Sequence, residues 1–79
     1  MPMGHLYNES IRAETDPSGR LTAYEWRGLR YTVHEVLKAY GAEPEPRVYR
    51  VRVSTGHGVA VAELARDADR WRLRHLFSA

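Results

Sequence analysis

Alternating apolar and polar residues recur in short runs along this chain, and tight-turn signals separate the runs. Ile11 and Ala13 alternate with Arg12 and Glu14 over residues 9–15, and residues 21–26 form a second run through Tyr24 and Trp26. Residues 47–54 set Tyr49, Val51 and Val53 against Val48, Arg50 and Arg52. Residues 59–65 continue the pattern, and residues 70–77 alternate Trp71, Leu73, His75 and Phe77 with Arg70, Arg72 and Arg74. Period two sends successive side chains to opposite faces of a strand, so each run predicts a half-buried strand.

The separators carry their own chemistry. Asp16-Pro17-Ser18-Gly19 is a type I turn pattern, because proline presets φ and the aspartate side chain bonds nearby amides. Arg27-Gly28 joins Trp26 to Leu29 as a two-residue hairpin connection, and Thr55-Gly56-His57-Gly58 turns the chain again. Asp67-Ala68-Asp69 is a polar turn.

One stretch reads two ways. Leu29, Val33, Val36, Leu37 and Tyr40 share a face at helical spacing, with Gly41 placed as a stop. Against that, Arg30-Tyr31-Thr32-Val33 is strand-like and follows a two-residue turn directly. The favoured reading is a bulged strand to about Val36, then irregular or single-turn helical chain to Tyr40. The prolines of residues 41–46 stop either element and make a loop.

Six short strands at hairpin spacing predict an all-β fold, either a small open barrel of SH3-like type or a strongly twisted antiparallel meander. Residues 1–8 read as a lead-in and residues 9–79 as one domain. The expected core is Tyr24, Trp26, Tyr31, Val33, Tyr49, Val51, Val53, Leu64, Trp71 and Leu73.

Composition narrows the chemistry. At 79 residues there is room for one modest core. No apolar run reaches the roughly 20 residues that span a bilayer, and no basic segment followed by an apolar one opens the chain, so the expectation is a cytoplasmic protein. Cysteine is absent, which removes disulfides and thiolate chemistry. Eleven of the twelve basic residues are arginine, and charge is unevenly spread: residues 1–46 carry five basic and seven acidic side chains, residues 47–79 seven and three. An anionic partner should meet the second half.

The arginines Arg50, Arg52, Arg70, Arg72 and Arg74 are the candidate site. Their spacing puts two on the outer face of one strand and three on the outer face of another, so all five point out of one sheet if both apolar faces line one core. Such a stripe tracks phosphates; equally, it is a solvated face whose members pair with Glu63, Asp67 and Asp69. Tyr40 and Tyr7, outside the clear strands, are the candidates for base stacking. His5, His34, His57 and His75 have no metal-ligand spacing, His75 reads as a buried imidazole among core residues, and no serine or carboxylate pair is spaced for catalysis. The expectation is therefore a non-enzymatic module without cofactor, metal or small-molecule substrate, binding nucleic acid through the arginine face or, alternatively, a protein partner or second copy through an exposed edge strand.

Trp26-Arg27-Gly28-Leu29-Arg30-Tyr31-Thr32-Val33 with Glu35-Val36-Leu37, then Val48-Tyr49-Arg50-Val51, Ala62-Glu63-Leu64 and Asp69-Arg70-Trp71-Arg72-Leu73, resembles a family of small uncharacterised bacterial β-domains with a WRGRxYxVxxVL, YRV and ELxxD…WxL pattern. That family occurs in actinobacteria and Thermus-like lineages and is similar to C-terminal segments of Y-family polymerase-like proteins. The resemblance spans residues 9–77 and implies a barrel near DNA transactions, with no catalytic residue. This chain departs from the pattern where members carry tryptophans after the third segment, having Tyr40-Gly41-Ala42-Glu43-Pro44-Glu45-Pro46 instead.

Asn8 is the only side-chain amide, and scarcity of thermolabile amides fits a thermophile. Thermal unfolding followed by circular dichroism should then show a midpoint above about 60 °C; a lower one argues for a mesophilic source.

Overall fold

The computed structural model describes residues 4–41 and 47–78. Six strands, β1 (Gly4–Thr15), β2 (Leu21–Trp26), β3 (Leu29–Tyr40), β4 (Arg47–Thr55), β5 (Gly58–Asp67) and β6 (Arg70–Ser78), follow one another without a helix among the described residues. None is therefore available as a long apolar membrane-crossing helix. Every neighbouring pair is antiparallel, and β1 also pairs with β6, closing the sheet into a barrel. The expected open barrel is thus closed. Pairing of Gly4 with Phe77 makes residues 4–8 part of β1 rather than a lead-in; residues 1–3 lie outside the described residues.

The turns are built as their residues dictate. Arg27 and Gly28 both take positive φ, 52° and 77°, the signature of a type I′ hairpin whose twist matches the flanking strands. In the β1–β2 turn the Gly19 amide donates to the Asp16 carbonyl at 2.9 Å. The Asp16 carboxylate accepts from the Ser18 amide and hydroxyl and from the Arg20 amide. These donors, the Ser18 hydroxyl first, hold the Asp16 carboxyl below its ordinary value.

Bulges explain what periodicity misread. The β3–β4 register slips at His34 and again at Leu37, so β3 carries two extra residues while remaining extended to Tyr40. Two insertions into a period of two mimic helical spacing, and residues 37–40, expected to be irregular or a single helical turn, are strand. On β6, Glu63 of β5 faces His75 and Leu64 faces Leu73, leaving Arg74 as the extra residue. At the same level β1 places Tyr7 and Asn8 between its pairings with His75 and Leu73, and Asn8 takes φ 55°. Asparagine tolerates that conformation better than most residues. These insertions bend the strands where a small barrel must coil.

Tyr24, Trp26, Tyr31, Val51, Val53, Leu64 and Leu73 are buried in the barrel, joined by Leu21 and Ala62; Val33, Tyr49 and Trp71 pack against them only partly buried. Tyr24 and Tyr31, directly opposite in register, stack with centroids 4.8 Å apart and planes 6° from parallel. One end of the barrel is pinned by Glu9, which accepts from the Trp26 indole N–H at 2.9 Å and pairs with Arg27 at 2.5 Å. Arg27 in turn lies over the Trp26 and Tyr7 rings. Tyr7, expected to be free for stacking, is thus half-buried against Trp26 with ring centroids 4.6 Å apart.

At six residues β2 is half the length of its neighbours. It pairs with residues 12–15 of β1 and 29–32 of β3, so, among the described residues, residues 4–11 of β1 have only β6 beside them and β3 beyond Thr32 only β4.

The Tyr24 hydroxyl is buried without a hydrogen-bond partner among the described residues, and burial pushes its acidity well out of the ordinary range. Tyr24→Phe keeps the stack and removes an unmet polar group, so urea denaturation should show stability unchanged or raised by about 1–2 kcal/mol. A loss above about 1 kcal/mol would mean that the hydroxyl is bonded in the native state.

Candidate nucleic-acid interface

The outer wall of β4, β5 and β6 is organised in cross-strand rows. Arg50 stands opposite Glu63 and Glu63 opposite His75; Arg52, Val61 and Phe77 form the next row, and Val48, Ala65 and Arg72 another. The Arg74 bulge reverses the alternation of β6 beyond Leu73. Leu76 therefore packs toward the core, while His75 and Phe77 lie on the outer face with the arginines, not in the core as their spacing predicts. The strand carrying Arg50 and Arg52, β4, runs about 10 Å from the strand carrying Arg72 and Arg74, β6, with β5 between.

Glu63 is the anchor of this wall. It is 5% exposed although it faces outward, and it accepts from the Tyr40 hydroxyl, from Arg50 Nη2 at 3.2 Å and from His75 Nδ1 at 3.2 Å. Burial pushes its carboxyl up, but the bonds from Tyr40, Arg50 and His75 outweigh that and hold it below its ordinary value. The same bond, with Glu63 as acceptor, raises the Tyr40 hydroxyl. A buried carboxylate costs several kcal/mol unless donors surround it, so Arg50 is committed to Glu63.

The five arginines divide accordingly. Arg50 is tied to Glu63, and its guanidinium lies 5.6 Å from the Phe77 ring centroid. Arg52 pairs with Glu35 of β3, both half-exposed, an interaction worth about 0–1 kcal/mol and readily exchanged for another anion. Among the described residues Arg72 and Arg74 have no carboxylate at ion-pair distance, and together they line a recess with Leu6, Asn8, Val48 and Ala65. Arg70 does not share this wall's centre: at the start of β6 it faces a cavity at the other end of the strand. Of the acidic partners expected for the set, Glu63 takes Arg50, whereas Asp67 and Asp69 form no ion pair among the described residues.

Aromatic surface accompanies the charge. Tyr40 is 39% exposed with Lys38 over its ring, and Lys38 stands opposite Arg50 in register. Phe77 lies beneath Arg50 and stacks on His75 with centroids 5.7 Å apart. Lys38 and Phe77 were missing from the expected site. Lys38 was hidden by the two β3 bulges, Phe77 by the one on β6. His34 bonds Ser54 at 2.6 Å, and among the described residues no group of three potential metal ligands converges.

Comparison with known protein families, with curated proteins and with solved structures found no match.

The depressed Glu63 carboxyl has a defined sign in acid. Its contribution to stability is fully present above the unfolded-state value of about 4.3 and is lost as pH falls through the lower folded value. Glu63→Gln should lower stability near neutrality and flatten the decline between about pH 5 and pH 3, measured by urea denaturation across that range. Parallel pH profiles for the two proteins would mean that Glu63 is not ionically paired.

Proposed function

We propose that this barrel is a non-enzymatic module that grips the backbone of nucleic acid with its outer wall. The observation that carries the reading is that Arg72 and Arg74, which have no carboxylate at ion-pair distance among the described residues, lie on the same face as Arg50, Arg52 and Lys38. Guanidinium groups suit phosphates, each a bidentate acceptor, and Tyr40 and Phe77 add flat surface against which bases rest. Glu63 favours this reading by fixing Arg50 and His75 rather than opposing it, since its charge is already shared among three donors.

Fluorescent single- and double-stranded oligonucleotides titrated at about 50 and 200 mM salt should bind more weakly at the higher salt, with a log–log slope near −0.7 per contacted phosphate on single strands. The double variant Arg72→Gln/Arg74→Gln breaks no ion pair, so it should fold as the parent does and lose about one to two phosphates' worth of slope. Absence of binding at the lower salt, or identical binding by the variant, overturns the reading.

The alternative is self-association or a protein partner through the half-paired part of β3, where Val36 is 46% and Leu37 44% exposed. Backbone pairing there would be insensitive to salt, and sedimentation of the free protein reads it directly.

A further inference from the structure

β1 changes partner at its middle. Its ladder with β6 ends at the pair Ile11 and Trp71, and from Arg12 onward it pairs with β2. Where the two strands part, a cavity of about 560 Å³ opens at the end of the barrel. Its wall is apolar at Ile11, Ala13 and Trp71, and its rim carries Arg66, Arg70 and Asp69. That volume is within the range of sites for small organic ligands, which combine an apolar lining with a few placed polar groups.

The polar groups are pre-set. Arg66 lies over the Trp71 ring, 5.7 Å from its centroid, and its Nε donates to the Ala68 carbonyl at 2.7 Å. That bond fixes the guanidinium plane and leaves both terminal nitrogens without a partner among the described residues. Ala68 takes φ 58°, a conformation unfavourable for alanine, so the turn holding Arg66 is strained. Arg70 is exposed and has no ion-pair partner among the described residues.

A planar indole, a guanidinium lying over it and a second guanidinium with no ion-pair partner among the described residues together select a planar aromatic group that bears an anion. We infer that this cavity is a nucleotide slot: a base rests against Trp71 and Arg66, and its phosphate is held by Arg70. Asp69 is an acceptor suited to the amino groups on a base edge. The inference deepens the backbone-binding reading and rests on it for the source of the nucleotide, either a base of a bound strand or a free mononucleotide.

Two-dimensional ¹⁵N NMR of the full chain tests it, because the protein has two tryptophans and so two indole N–H resonances. Titration with AMP and UMP should shift the Trp71 indole and leave the Trp26 indole still, and the corresponding nucleosides should bind more weakly. Arg70→Gln removes an exposed, unpaired side chain and should weaken AMP about tenfold, the loss of one charge-assisted hydrogen bond. Arg72→Gln/Arg74→Gln should leave AMP binding unchanged. A Trp71 resonance that stays still to about 10 mM of either nucleotide, or an Arg70→Gln variant that binds AMP as the parent does, overturns the slot. Salt-sensitive oligonucleotide binding with a silent Trp71 removes the slot and keeps the backbone reading; AMP shifts without oligonucleotide binding keep the slot and remove the backbone reading.

Discussion

The ladder between β1 and β6 is the constraint on which the rest depends, because it alone converts a string of hairpins into a barrel. Each of the other five pairings joins neighbours in sequence through a short connection, so its closure costs little entropy. The β1–β6 pairing must bring together residues from opposite ends of the chain, with Gly4 opposite Phe77. The twist required for that closure is taken up at Tyr7, Asn8 and Arg74, where both strands bulge at one level. The same local distortion reorients β6 and puts His75 and Phe77 outside. Closure and surface chemistry are therefore set by one feature.

Much of the fold was legible in the residues themselves. The β2 strand, the Asp16 turn and the Arg27-Gly28 hairpin follow from side-chain chemistry within a few residues, and local chemistry is what a sequence displays. Tyr24, Trp26, Val51, Val53, Leu64 and Leu73 could be placed in the core for the same reason. What stayed hidden depends on register. A bulge moves every later side chain to the other face, and whether one occurs is decided by how two distant strands must meet. His34 and Leu37 carry no signal that distinguishes an inserted residue from a helical spacing, and nothing in Arg70-Trp71-Arg72-Leu73-Arg74 marks the last as extra. Closure itself was invisible for a related reason: no short-range pattern announces that the first strand will find the last.

The candidate site shows the same division. Periodicity placed Arg50, Arg52 and Arg72 outward, but it could not apportion carboxylates among them. Glu63 is buried beneath the side chains of Tyr40, Arg50 and His75, all of which donate to it, and the arginine that neutralises it is the one directly opposite in register. Arg70 has the same parity as Arg72, yet its place at the strand's first residue, beside a turn, directs it to a different environment. Five residues alike in sequence thus become a structural cation, an exchangeable one, two with no ion pair among the described residues and one at a cavity rim.

The shortness of β2 has a consequence for motion. Beyond Thr32, β3 is paired among the described residues with β4 alone, and its pairing there is interrupted twice. Amides of residues 33–40 that point away from β4 have no neighbouring strand among the described residues, so this stretch, like residues 4–11 of β1, is among the parts of the sheet that exchange their protons first and open at least cost. Tyr40 sits at the end of that stretch, whereas the other two donors to Glu63, Arg50 and His75, sit on strands paired on both sides. The tyrosine is therefore the donor most easily withdrawn, and its departure would bare one side of a buried carboxylate while the barrel beneath stays closed.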